Sequence, residues 1–117
     1  MKKNIVKEKS YAFALKTIKA YKFLSEQQRE LVLPKQMLRS GTAIGALVRE
    51  AGHAESKADF VHKMSIALKE ANETTYWLML LKNSEYINKN TFDSIFSDCS
   101  ELAGLLVSII KPAKSTK

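Results

Sequence analysis

Two short runs pair a carboxylate with a histidine one helical turn on. Glu50-Ala51-Gly52-His53 is an E-x-x-H, and Asp59-Phe60-Val61-His62 is its aspartate variant. Carboxylate bundles hold two metal ions with paired E-x-x-H motifs plus an inward glutamate from each of two further helices. Here the pairs fall near the end of one expected helix and the start of the next, and the first helix offers only Glu8, among lysines. Two surface histidines flanking a turn fit this pattern, so no metal or other cofactor is expected. Arg49 and His53 lie one turn apart and raise the question of RNA cleavage. General acid–base chemistry needs a constellation of positioned groups, and no further base or nucleophile accompanies this pair. Gly-rich phosphate loops, G-x-S-x-G and zinc-ligand spacings are absent.

The single cysteine, Cys99, excludes an internal disulfide framework and sits among Ile95, Phe96, Leu102 and Leu106, as a small core hydrophobe would. Glu70 and Glu73, with Arg39 on the preceding helix, are placed to pair inside a bundle or at a subunit contact, which orients helices without catalysis. No catalytic residue is assigned, and the chain is expected to bind or assemble and not to be an enzyme.

These residues sit on four expected helices. With 4 Gly and 2 Pro in 117 residues there is little turn punctuation, which favours a few long helices in one domain over many short strands. The first helix is expected from about Glu8 to Leu24, with Tyr11, Ala14, Leu15, Ile18 and Tyr21 on its inner face and Lys9, Lys16 and Lys19 outside. Pro34 suits the first turn of a second helix running to about His53. Its apolar face is Met37, Gly41, Ile44, Val48 and Ala51, and Gly41 and Gly45, four apart, permit a close helix approach. Ser56-Lys57-Ala58-Asp59 has the form of a capping box for a third helix to about Lys82. Phe60, Met64, Ala67, Leu68, Ala71, Thr75, Leu78 and Leu81 are expected to face inward. Tyr76, Trp77 and Leu80 make the second half of this helix apolar nearly all round, so another subunit is expected to cover them. Asn88 or Asn90 caps the fourth helix, whose stripe is Phe92, Ile95, Phe96, Cys99, Leu102, Leu106, Ile109 and Ile110 before Pro112 stops it. Four such helices on short connectors predict an all-α, antiparallel up-down-up-down four-helix bundle over residues 1–117, with 1–8 and 112–117 as flexible basic ends.

The net charge of +7 is uneven: residues 1–22 carry +6, the tail after Ile110 +3, and the stretch between −2. In an up-down bundle both chain ends lie at the same end, so the two basic segments are expected to form one cluster. Such a field attracts polyanions through phosphate contacts and counterion release, whereas lysine-rich ends can also serve only solubility. Lys9, Lys16 and Lys19 on one ordered face favour binding. The candidate nucleic-acid contacts are Lys9, Lys16, Lys19, Lys22, Lys111 and Lys114. No base-reading motif accompanies them, so sequence-specific readout is not expected. Asn4, Lys7, Glu8 and Lys9 interrupt any apolar stretch after the basic start, and no segment approaches the roughly 18 apolar residues of a membrane span. A cytoplasmic protein without a membrane partner is expected.

The run from Gln36-Met37-Leu38-Arg39-Ser40-Gly41-Thr42-Ala43-Ile44-Gly45-Ala46 to Glu50-Ala51, followed by Ser56-Lys57-Ala58-Asp59-Phe60, Lys63 to Ala71 and Glu73-Thr74-Thr75-Tyr76-Trp77-Leu78, is similar to a known family. It resembles the bacterial four-helix bundle proteins encoded within intervening sequences of 23S ribosomal RNA genes, also called S23 ribosomal proteins, from about Tyr11 to Lys111. The resemblance implies an up-down bundle that forms pentameric rings. It also implies kinship with the accessory protein of diversity-generating retroelements, which binds nucleic acid and a reverse transcriptase. The chain departs from the family pattern at Leu47, where many relatives carry Asn. The function expected from all this is a homo-oligomeric bundle binding RNA or DNA backbone through its basic patch. The alternative is a protein–protein assembly or adaptor module with no nucleic-acid role.

Overall fold

A computed structural model describes residues 4–27 and 31–115. Four helices account for nearly all of them: α1 (Ile5–Gln27), α2 (Val32–Ala51), α3 (Lys57–Asn83) and α4 (Lys89–Ser115). Each helix touches only its two neighbours in the cycle α1–α2–α3–α4, and no diagonal pair meets. Contacts fix the directions. Thr17 and Ser10 of α1 lie against Gly41 and Gly45 of α2 in that order, so the two run oppositely. Arg39 reaches Glu70 and Glu73 while Glu50 reaches Lys63. Cys99 meets Ala71 and Phe92 meets Lys82. Lys9 pairs with Glu101 and Lys16 with Asp98. Every neighbouring pair is antiparallel, which makes the molecule the expected four-helix bundle.

The core runs along the axis: Phe13 and Leu24 from α1, Met37, Ile44 and Val48 from α2, Met64, Leu78 and Leu81 from α3, and Ile95, Leu102 and Leu106 from α4. The inner faces expected for α2 and α4 are the observed ones. On α3, Thr74 and not Thr75 is fully buried, because its hydroxyl meets that of Ser40 across the α2–α3 seam at 2.8 Å. Each of the two hydroxyls also lies within reach of the carbonyl four residues back in its own helix. Among the described residues no buried side-chain nitrogen or oxygen lacks a partner, as a packed core requires.

The inner face of α1 differs from expectation. Val6, Ser10, Phe13, Thr17 and Leu24 are buried, whereas Tyr11, Leu15 and Ile18 are exposed. The helix carries two candidate faces about a third of a turn apart, and the buried one contains the hydroxyls. Ser10 and Thr17 tolerate burial because each donates to a carbonyl three residues back, Lys7 at 3.1 Å and Ala14 at 2.8 Å. Their small size lets α1 lie directly on Gly41 and Gly45.

The helix ends follow local chemistry. Ser56 accepts from the Asp59 N–H at 3.0 Å, and the Asp59 carboxylate accepts from the Glu55 N–H at 3.2 Å, one residue earlier than a strict capping box. Asn88, not Asn90, caps α4 by accepting from the Thr91 N–H at 2.8 Å. Between them α3 closes with Glu85 in the left-handed region (φ 67°) and the Tyr86 N–H donated to the Leu81 carbonyl at 2.8 Å. That turn seats Ile87 in the core. Pro112 does not stop α4, which continues through Ser115, the proline removing one intrahelical hydrogen bond near an exposed end. Residues 5–8 and 112–115, read from sequence as end segments, belong to α1 and α4.

Candidate nucleic-acid and assembly surfaces

The six candidate lysines do not form one patch. Because α1 runs the length of the bundle, its lysines are strung along it, about 1.5 Å per residue. Lys9 and Lys16 face α4 and are already engaged: Lys9 Nζ lies 3.0 Å from Glu101, and Lys16 Nζ lies 2.6 Å from Asp98 and 3.4 Å from the Ser94 carbonyl. Their charge is largely matched by acids that the helical register places opposite. Lys19 and Lys22 stand near the α3–α4 turn and make no ion pair with any described residue. Lys111 and Lys114 are exposed on the last turns of α4, at the other end of the bundle. The start of α1 and the end of α4 do share one end of the bundle, bringing Lys7 and Lys9 near Lys111 and Lys114, but Lys19 and Lys22 stand at the opposite end, so the expected single cluster is corrected to two basic regions. Lys2, Lys3 and Lys117 lie outside the described residues.

The apolar candidates also redistribute. Of Tyr76, Trp77 and Leu80, only Tyr76 is largely exposed (56%). Trp77 is half-buried, packs edge-on against Tyr76 and donates its indole N–H to Glu73 at 2.9 Å; Leu80 is half-buried as well. Met79, three residues from Tyr76 and 47% exposed, completes the bare strip on α3. A second strip, Tyr11, Leu15 and Ile18, lies on the outer face of α1, where the sequence had suggested core. Arg49 of α2 lies 6.0 Å from the Tyr11 ring and covers one flank of it. Since α1 and α3 are diagonal in the bundle, these two apolar strips point away from each other. Lys7 and Glu8 precede the first strip and Lys22 and Glu26 follow it on the same helix face, so its flanks carry both signs, while Lys69 and Lys82 bracket the second.

Arg39, Glu70, Glu73 and Trp77 form a clamp across the α2–α3 seam. Arg39 contacts Glu70 at 3.4 Å and bonds Glu73 with its other terminal nitrogen. The Trp77 N–H, more than Arg39, holds the Glu73 carboxyl below its usual range, against the opposing effect of partial burial. The Glu73 bond in turn raises the Arg39 guanidinium. Every acceptor in the clamp is turned towards its own partner, an arrangement suited to orienting helices.

His53 and His62 are both exposed, either side of the α2–α3 turn. Among the described residues no group of three or more His, Cys, Asp or Glu side chains is placed to hold a metal ion. Cys99 is buried with its Sγ 3.3 Å from the Ala71 carbonyl, and burial, with a smaller effect of Asp98, pushes the thiol up to about 12. No helix among the described residues is long and apolar enough to cross a membrane.

The model of the 23S rRNA-intervening sequence protein family matches residues 2–108. The chain belongs to that family. It is similar to a crystal structure of an S23 ribosomal protein family member of unknown function from Bacteroides thetaiotaomicron, with 56% identity and a TM-score of 0.89. That match covers 91% of this chain and 98% of the other. No curated protein matches.

Proposed function

We propose that this protein is a non-enzymatic, homo-oligomeric four-helix bundle of the cytoplasm that binds RNA or DNA backbone electrostatically. The observation that carries the reading is the pair of bare apolar strips on diagonal helices. A monomer leaves Tyr11, Leu15 and Ile18 in water on one side and Tyr76 and Met79 on the other. Two different surfaces facing opposite ways suit a heterologous contact, in which α1 of one copy meets α3 of the next. Such contacts close into rings when the rotation permits. A pentameric ring, implied by the family resemblance, is the form we propose.

Assembly would repeat Lys19, Lys22, Lys111 and Lys114 around a ring, so a weak single-site attraction for phosphates becomes a multivalent one. Lys9 and Lys16 contribute less, since Glu101 and Asp98 already bind them. A reverse transcriptase is the protein partner suggested by resemblance.

The test is fluorescence anisotropy of labelled structured RNA and duplex DNA, titrated with the protein from low to physiological salt. We expect saturable binding whose log affinity falls with log salt, lost in the Lys19→Glu/Lys22→Glu/Lys111→Glu/Lys114→Glu variant. Reversal of Lys9 should change it less. Flat anisotropy at low salt would leave the lysines as solubilising charge and favour the adaptor reading.

A further inference from the structure

The crossing of α1 over α2 builds a small site that uses none of the lysines assigned above. Gly45 lets the two helices touch, since a Cβ there would lie 3.3 Å from the Ser10 carbonyl oxygen. Because the pair is antiparallel, the residue one turn before Ser10 comes level with the residue one turn after Gly45. Those residues are Lys7 and Arg49, and both line one pocket of about 200 Å³. Its floor is of small residues such as Ala14 and Ala46, and the Tyr11 ring, 6.0 Å from the Arg49 guanidinium carbon, stands at its edge. At about 30 Å³ per water the pocket holds about six waters. That is below the size of sites that enclose whole organic ligands, and it suits a small ion or a group projecting from a larger molecule.

The charge in the pocket selects the occupant. Two cations facing one pocket repel unless an anion lies between them. Among the described residues neither Lys7 nor Arg49 makes an ion pair, and no carboxylate lines the pocket. Of the residues outside those described, only Glu30 has an acidic side chain, and it follows the opposite end of α1. Glu50, Glu55 and Asp59 line a separate hollow beside Arg49, where Glu50 pairs with Lys63 at 3.2 Å and Asp59 takes the Glu55 N–H. The pocket's aliphatic hydroxyls donate elsewhere, Ser10 to the Lys7 carbonyl and Thr42 to the Leu38 carbonyl, so the two cations are its principal donors. A carboxylate brings one charge and two oxygens in a plane, which a single guanidinium already satisfies. A phosphate monoester brings up to two charges and three acceptor oxygens, enough for a guanidinium from one helix and an ammonium from the other. We infer that the Lys7–Arg49 pocket binds a phosphate monoester, either free or at the end of a nucleic-acid strand. An internal phosphodiester, with one charge and two free oxygens, fills the site less well. The site is therefore distinct from the attraction for nucleic-acid backbone proposed above, and either can fail without the other.

The experiment titrates the full ¹⁵N-labelled chain at constant ionic strength with inorganic phosphate, a dinucleotide carrying a 5′-phosphate, and the same dinucleotide without it. Saturable amide shifts are expected at Ser10, Tyr11, Gly45 and Arg49 with the first two ligands. The unphosphorylated dinucleotide should bind at least tenfold more weakly. Affinity should fall about tenfold in Lys7→Gln and in Arg49→Gln, and stay unchanged in Lys35→Gln, about 21 Å along α2 from Arg49. Tighter binding of the phosphorylated dinucleotide than of inorganic phosphate identifies the ligand as a strand end, and equal or weaker binding identifies it as a free phosphate. Equal loss in Arg49→Gln and Lys35→Gln would mean diffuse charge attraction and overturn the inference. So would equal binding of the two dinucleotides, shifts centred away from the α1–α2 crossing, or no saturable shift.

Discussion

Gly41→Ala and Gly104→Ala are the same substitution in two helix interiors, and the structure assigns them opposite signs. Replacing a mid-helix glycine by alanine gains about 0.8–1 kcal/mol of intrinsic helix propensity. At Gly104, exposed on α4, an added Cβ meets nothing within 4 Å, so that gain stands alone. At Gly41 the Cβ would lie 2.7 Å from the Thr17 methyl and 3.3 Å from its Cβ and Oγ1. Carbon atoms pack best at about 3.5–4 Å, so α1 and α2 must separate by roughly 1 Å or Thr17 must turn. Thr17 is fully buried and its hydroxyl donates to the Ala14 carbonyl at 2.8 Å, so turning it gives up that bond. Overpacking of this kind costs about 1–3 kcal/mol, which outweighs the propensity gain and leaves Gly41→Ala destabilised by about 1 kcal/mol. Urea unfolding followed by circular dichroism, at one fixed protein concentration, measures both variants. Thr17→Ser removes the offending methyl while keeping the hydroxyl, so in that background Gly41→Ala should change from a loss to a gain. If Gly41→Ala stabilises the parent protein as much as Gly104→Ala does, the close α1–α2 seam described above is wrong.

Two further outcomes follow from the seams and the core. Glu73 has a folded-state pKa lowered from its ordinary 4.5, so its contribution to stability is present above that value and lost as the pH falls through the lower folded one. Unfolding free energies measured across acidic pH should lose part of their pH dependence in Glu73→Gln, and an unchanged slope would mean that the Trp77–Glu73–Arg39 clamp does not act in solution. The Cys99 thiol, buried and pushed up to about 12, should resist a thiol-specific disulfide reagent in the folded protein and react at once in denaturant. Rapid labelling without denaturant would show that the α3–α4 seam opens.

Much of this molecule is readable in its sequence because most helices have one apolar stripe and clear caps. The inner faces of α2 and α4, the Ser56 N-cap and the buried Cys99 follow directly from spacing. Helix α1 is the exception, for a physical reason. Three- and four-residue spacing identifies an apolar face but not which way it points when a second face carries small hydroxyls. Ser10 and Thr17 look like surface residues until Gly41 and Gly45 are seen against them, and that pairing depends on the register between helices. The same register decides the fate of the lysines: nothing near Lys9 or Lys16 in sequence announces Glu101 or Asp98, some eighty to ninety residues away. On α3 the run Tyr76 to Leu81 is apolar at every position, so spacing alone does not show that Tyr76 and Met79, three apart and on one face, are the members left bare.

The central claim, that the diagonal apolar strips join copies of this chain, is tested most directly by light scattering on the eluting protein, with Leu15→Glu as the companion variant. The account expects a mass several times the 13.2 kDa of one chain, five times for the proposed ring, and a fall to the single-chain mass when the charge is placed in the α1 strip. A protein that elutes at 13.2 kDa across the concentration range would contradict it. So would an assembly whose mass ignores the substitution.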